Sequence, residues 1–323
     1  MALLSLLVAA SCAWFDPLVR YRYPLQRVPA YEGVRPLLIY IPGLDGTHGS
    51  PFVQFPDLAR AGFDLRVQDV DVAAAASSFD ATVDDAIAYM RDAGRPVLLM
   101  GESYGGVVAS AVALREPSVV TALVLVNPAT AFSVRPDLQA DMATLKTVPE
   151  PIFQAASFAF LGRKTFDLGF VANAVRDLFV ERKMERLRES DPELAGYFDA
   201  ALADMMSQIG QAPRGFMLAR LGHLERYGAE VEAKLPSLQP PCLVVAGTAD
   251  KLLSSEAEAR RLQAILGPER CKVACVPGAG HIGTLDQRCD LVGLIEEWAA
   301  EPANAAVLEP LRPKRAQSSP EQG

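Results

Sequence analysis

The chain has 323 residues, half of them hydrophobic, enough to bury the core of a large α/β domain with or without an insertion. Its formal net charge of −8 argues against nucleic acid or an anionic membrane as the main partner. No apolar run approaches the roughly 20 residues of a membrane-spanning helix, so any membrane contact is expected to be peripheral. The five cysteines (Cys12, Cys242, Cys271, Cys275 and Cys289) form no metal-ligand pattern. Cys271 and Cys275 fall on one side of a predicted strand, and a rise of about 3.3 Å per residue sets them too far apart to bridge. Buried free thiols are therefore expected, as suits a reducing compartment.

Residues 1–33 form an N-terminal signal- or transit-like segment. An apolar leader (Met1 to Ala10) runs into Ser11-Cys12-Ala13, small residues at the usual cleavage spacing. Aromatic Trp14 and Phe15 follow, then Arg20, Arg22 and Arg27 against Asp16 alone. That order resembles the two-part plastid address of algae with secondary plastids. A plain secretory or endomembrane signal, or a poorly ordered N-terminus, is the alternative.

Residues 37–41 (Leu-Leu-Ile-Tyr-Ile) predict a buried strand that opens into a glycine-rich loop, Pro42-Gly43-Leu44-Asp45-Gly46-Thr47. Alternation over 65–72 predicts a strand with one wetter face. Residues 79–93 place Val83, Ile87 and Met90 on one helical face and stop at Gly94. A strand at 97–100, a turn at Ser103, a helix to about Leu114 and a strand at 120–126 follow. From about 131 to 235 strand signals vanish, and helical stretches such as 176–190 and 192–206 take over. Alternation then resumes with a strand at 242–247, a helix at 256–266, a strand at 272–276 and a helix at 285–299. Apolar strands alternating with helices predict a mostly parallel central sheet with helices on both faces. The division expected is a core of 34–132 and 237–300, a helical cap insertion at 133–236 and a flexible tail at 301–323.

Chemistry concentrates at Gly101-Glu102-Ser103-Tyr104-Gly105, a G-x-S-x-G pattern between a strand and a helix. Such a turn holds the serine in a strained conformation, and side chains two positions to either side would collide with the neighbouring strand and helix. A serine hydroxyl needs a base to take its proton and a third group to orient that base. Of the three histidines only His281, in Gly278-Ala279-Gly280-His281, follows a strand from whose end a loop can return over Ser103. His48 and His223 are read as surface or packing residues. Asp250 follows the strand at 242–247 and is the expected acid. The other common place for the acid is held by uncharged Asn127, and Asp286 is read as a cap of the last helix. Oxyanion donors are expected from the backbone N–H of Tyr104 and of Leu44, with Asp45 as second choice for the latter. Serine, acid and histidine, each just past its own strand, is the chain order of the α/β-hydrolase fold.

With those residues in place, the sequence resembles the α/β-hydrolase superfamily. More narrowly it resembles the hydrolase part of plant and algal plastid phytyl ester synthases, which are esterase/lipase-like acyltransferases. The likeness is carried by Ile-Tyr-Ile-Pro-Gly-Leu-Asp-Gly-Thr (39–47), Gly-Glu-Ser-Tyr-Gly-Gly (101–106), Leu-Val-Leu-Val-Asn-Pro-Ala-Thr (123–130) and the Gly-Ala-Gly-His segment (278–281). It implies an enzyme making or breaking fatty-acyl esters of phytol or diacylglycerol, with Ser103, Asp250 and His281 as its triad. Larger members continue into a second, glycerolipid-acyltransferase-like domain not seen in these 323 residues, which shifts the expectation toward hydrolysis. His281 to Asp286 matches the H-x-x-x-x-D pattern of such acyltransferases, a coincidence given where the triad histidine belongs.

The expected activity is serine-dependent cleavage of a lipid acyl ester through an acyl-enzyme, of esterase, lipase or thioesterase type. One alternative is transfer of the acyl group to a long-chain alcohol such as phytol, or to diacylglycerol. Another, from a different class, is a catalytically silent hydrolase-like fold that binds a hydrophobic ligand. Phe153, Phe158, Phe160, Phe166, Phe170, Phe179, Met184, Met205, Met206, Phe216 and Met217 in the insertion either line an acyl slot or pack it onto the core. No metal, nucleotide or flavin pattern is visible, and the triad chemistry needs no cofactor.

Overall fold

The computed structural model describes residues 21–22, 35–47, 49–68, 78–153, 155–157, 183–208, 213–285 and 288–311. Nearly all of the N-terminal segment, His48, Asp286 and five of the insertion's phenylalanines (Phe158, Phe160, Phe166, Phe170 and Phe179) lie outside the described residues, as do the side chains of Met205 and Met206.

The apolar runs form one sheet. Its strands are β1 (Tyr21–Arg22), β2 (Leu37–Ile41), β3 (Asp64–Gln68), β4 (Val97–Glu102), β5 (Ala122–Val126), β6 (Cys242–Gly247) and β7 (Cys271–Val276). Their order across the sheet is β1-β3-β2-β4-β5-β6-β7; β1 pairs antiparallel at the edge and the other neighbours pair in parallel. Parallel strands covered on both faces have no wet side, which is why β2, β4, β5 and β6 are buried along their whole length.

Side chains alternate between two cores. Leu37, Ile39 and Ile41 point into one, shared with α2 (Phe79–Ala93), α3 (Tyr104–Arg115), α7 (Arg214–Lys234) and α8 (Ser255–Leu266). Leu38 and Tyr40 point into the other, shared with α1 (Phe55–Arg60), α9 (Leu291–Ala300) and α10 (Pro302–Leu308). Helix α2 has the bounds its sequence predicts. The Ser78 side chain accepts from the Ala81 N–H at its start, and Gly94, at φ 58°, closes it with a bond to the Met90 carbonyl. Between β5 and β6 the described chain is helical: α4 (Pro136–Lys146), α5 (Lys183–Ser190), α6 (Pro192–Gln208) and α7. The helix expected over 176–190 is described from Lys183 onward.

Three expectations are corrected. The last helix predicted from 285 begins at Leu291, with Asp290 as its cap accepting from the Gly293 N–H at 2.9 Å; Asp286 therefore does not start it. Residues 283–285 form a short 3-10 turn instead, because Thr284 is tied toward β4 by side-chain hydrogen bonds. Residues 302–311, expected as flexible tail, form α10 and a further turn whose Leu308 and Leu311 are buried. Among the thiols, Cys242, Cys271 and Cys289 are buried as expected, whereas Cys275 is exposed on the edge strand β7.

Candidate active site

Strand β4 ends at Glu102 and α3 begins at Tyr104, so a single residue turns the chain. That residue, Ser103, holds φ 55° and ψ −118°, a conformation that a side chain adopts only under strain. Its surroundings enforce it. The Ser103 N–H continues the ladder to the Val126 carbonyl, and the Ser103 carbonyl accepts from Gly106 and Ala129, all at 3.0 Å. A Cβ on Gly101 would lie 2.3 Å from the Gly105 carbonyl oxygen, and one on Gly105 would lie 2.1 Å from that of Ile41. Strand and helix thus approach too closely for any residue but glycine at these two positions.

The ends of β6 and β7 bring two more side chains to Ser103. His281 Nε2 lies 3.0 Å from Ser103 Oγ, and His281 Nδ1 lies 2.9 Å from Asp250 Oδ2. Asp250 is itself held: Oδ1 accepts from the N–H groups of Leu252 (2.8 Å) and Leu253 (3.1 Å), and Ser255 Oγ donates to Oδ2. Both His281 and Asp250 are buried. Burial opposes the imidazolium, but the Asp250 charge and hydrogen bond, with Glu102 and Asp45 beyond, outweigh it, and the His281 pKa is raised. For Asp250 burial pushes upward, yet the His281 charge and the hydrogen bonds it receives win, and its carboxyl is held below the usual range.

Two residues that sequence reasoning did not assign set these three loops against one another. Asn127, just past β5 at φ 42°, donates through Nδ2 to the carbonyls of Gly280 (3.1 Å) and His281 (2.5 Å). Its Oδ1 accepts from the Gly247 N–H at 2.8 Å, so one amide clamps the acid's strand to the histidine's loop. Donor and acceptor are both needed, which a carboxylate at this place would not supply. Glu102, the residue before Ser103, is buried and accepts from Tyr40 Oη (3.0 Å), Ser50 Oγ (2.7 Å) and Thr284 Oγ1 (3.2 Å). Burial raises its pKa to about 7 against the opposing pull of Ser50, Tyr40, His281 and Thr284. The only sequence signal for either was adjacency to a strand end.

The loop after β2 runs beside the elbow: a Cβ on Gly43 would lie 3.7 Å from Ser103 Cβ. Tyr104 opens α3, and the first N–H groups of a helix have no intrahelical acceptor. The backbone donors expected at Leu44 and Tyr104 therefore belong to segments flanking the serine. His223 is engaged elsewhere, its Nδ1 2.9 Å from the Tyr104 hydroxyl and its ring packed against Phe79, Tyr104 and Tyr227. Of the aromatic and methionine residues in the insertion, Phe153, Phe216 and Met217 pack into the core against the sheet. Among the described residues no group of histidine, cysteine and acidic side chains is arranged to hold a metal ion.

The family described as serine aminopeptidase, S33 (Hydrolase_4) matches residues 71–288. The chain belongs to this family. It is thus an enzyme of the α/β-hydrolase type. Phytyl ester synthase 1, chloroplastic, of Arabidopsis thaliana is 28% identical over 88% of the chain and 38% of its own length. Phytyl ester synthase 2, chloroplastic, of the same plant is 25% identical over 88% of the chain and 39% of its own length. This hydrolase therefore spans less than two fifths of the curated relatives it matches. A solved carboxylesterase structure from Nitrososphaera gargenis covers 88% of the chain and 93% of its own at a TM-score of 0.56 and 15% identity, a likeness of fold.

Proposed function

We propose that this S33-family chain cleaves lipid acyl esters by a serine mechanism, with Ser103 as nucleophile, His281 as base and Asp250 as the acid that orients it. The observation that carries the reading is the unbroken relay from Ser103 Oγ through His281 to Asp250 at a strained elbow. His281 Nε2 takes the hydroxyl proton as Oγ attacks the acyl carbon. Asp250 fixes the proton on Nδ1 and stabilises the imidazolium. The tetrahedral oxyanion is met by the N–H groups of Tyr104 and Leu44. Collapse expels the alcohol, which takes the proton from His281 and leaves an acyl-Ser103 ester. Water, activated by the same histidine, then releases the acid. No cofactor enters these steps.

We propose further that 34–132 and 237–300 form the hydrolase core and that the insertion 133–236, whose described elements are helices, serves as a cap. A second acceptor, a long-chain alcohol in place of water, is favoured by the likeness to two phytyl ester synthases across 88% of the chain. The same likeness supports a plastid location, tested by a fluorescent fusion of residues 1–35; retention in the cytosol would overturn it. Hydrolysis and transfer share every residue named above and differ in whether the covered acyl-enzyme excludes water. Incubation with a long-chain acyl ester, with and without phytol, followed by mass spectrometry of the products, separates them. Free acid unchanged by phytol means hydrolysis; phytyl ester formed at the acid's expense means transfer. Ligand binding without turnover, equal in wild type and Ser103→Ala, would leave only the hydrophobic-ligand reading.

A further inference from the structure

Arg220 is a buried cation that the triad chemistry does not use. It is 2% exposed, and among the described residues no carboxylate lies within ion-pair distance of it. A guanidinium so placed is costly unless its donors and charge are met. They are met by the active-site loop. Nη1 donates to the carbonyl of Gly43 and, at 3.4 Å, to that of Leu44. The guanidinium also lies over the rings of Tyr104 (4.7 Å) and Phe216 (4.6 Å). Helix α7 delivers this cluster: Phe216, Arg220, His223 and Tyr227 recur at helical spacing, with Arg220 on the loop after β2, His223 on Tyr104 of α3 and Tyr227 on Phe79 of α2.

The geometry points to Arg220 as a positioning residue of the oxyanion hole, an inference that rests on the serine mechanism proposed above. The carbonyl of Gly43 and the N–H of Leu44 belong to one peptide unit, as do the carbonyl of Leu44 and the N–H of Asp45. In a trans peptide these groups point in opposite directions, and the chain holds no cis bond among the described residues. Arg220 therefore grips the far side of both peptides able to supply the first oxyanion donor. A charge-assisted bond on the oxygen fixes the plane and draws electron density from the nitrogen, which makes its N–H a stronger donor. The residue that supplies the second donor, Tyr104, carries its ring beneath the same guanidinium. Arg220 thus couples the helix before β6 to both halves of the hole without touching the substrate.

The test uses the full chain and a fluorophosphonate probe: attack by serine Oγ gives a five-coordinate phosphorus whose phosphonyl oxygen carries negative charge into the oxyanion hole, and loss of fluoride leaves a tetrahedral phosphonyl-serine. Maximal inactivation rate and probe affinity are measured separately for wild type and for Arg220→Lys, Arg220→Gln and Arg220→Ala, with Ser103→Ala alongside. Complete labelling at long times counts the folded sites. Arg220→Gln is expected to slow maximal inactivation about 10- to 100-fold, less than or equal to the loss of a direct oxyanion donor. Probe affinity should change by less than about threefold, since the donors act on the transition state. Arg220→Lys should fall between, keeping the charge and losing the planar fork. Added methylguanidinium should accelerate Arg220→Ala and leave wild type unchanged. A rate per labelled site within twofold of wild type in both Arg220→Gln and Arg220→Ala overturns the inference. Loss confined to probe affinity or to the fraction of labelled sites, with no rescue, reduces Arg220 to a packing residue and overturns it equally. Labelling of Ser103→Ala at the wild-type rate, or none of wild type, would instead remove the serine mechanism beneath it.

Discussion

In the mechanism proposed, Ser103 needs a neutral base, and His281 is tuned against neutrality. Its pKa is raised, so the acid limb of kcat/KM should rise through a value above the roughly 6.5 of an unperturbed histidine and stay level beyond it. A limb at or below that value would contradict the pairing with Asp250. Part of the upward shift comes from the Glu102 charge. Glu102→Gln removes a negative charge that favours the imidazolium, so the limb should move to lower pH; an unmoved limb would mean that Glu102 is neutral or remote in effect. Asp250→Asn should leave the fold intact and lower kcat by about 10⁴-fold, because the amide favours the wrong imidazole tautomer. The proposed triad was legible in the sequence because each member lies within a few residues of the end of an apolar run that reads as a strand. Glu102 was not, since its burial depends on Tyr40, Ser50 and Thr284 arriving from three distant segments.

Elements matter here through their ends. The elbow requires α3 to press on β2 and β4, and Gly105→Ala would drive a methyl to 2.1 Å from the Ile41 carbonyl oxygen. That variant should fail to accumulate as folded protein; normal expression with an unchanged unfolding midpoint would refute the packing described. Asn127 binds the end of β6 to the loop after β7. Asn127→Ala strands a buried N–H and two carbonyls, at about 1–3 kcal/mol for each group left unpaired, and loosens His281 as well. Denaturant unfolding and kcat should both fall; a loss of neither would show that the clamp is redundant. Local signals located α2 to the residue because Val83, Ile87 and Met90 share one helical face and Gly94 stops it. They failed for the start of α9, where the apolar residues read as helix back to Leu285, whereas Thr284 is drawn to the elbow and Asp290 supplies the cap. Such long-range ties leave no periodic trace.

At the scale of the whole molecule, the mostly parallel sheet carries Ser103, Asp250 and His281 past the ends of β4, β6 and β7, and α7 packs beside them on the loop after β2 and on Tyr104 through Arg220 and His223. The alternation of apolar strands and helices made the sheet readable in advance, including the break after β5. Which faces of the insertion pack and which line a slot was not readable, because aromatic residues serve both purposes; Phe153, Phe216 and Met217 belong to the core. If the covered site accepts a long acyl chain, kcat/KM should increase from acetyl to decanoyl and longer esters, and a preference for acetyl would contradict it.

The most direct measurement is release of fatty acid from a long-chain acyl ester by the full chain and by its Ser103→Ala variant, both shown to be folded by circular dichroism. Removing a triad nucleophile typically costs about 10⁶ in kcat, and the expected result is a loss of at least about 10⁴-fold in Ser103→Ala. Equal release by the two proteins would contradict the serine mechanism and everything built on the elbow.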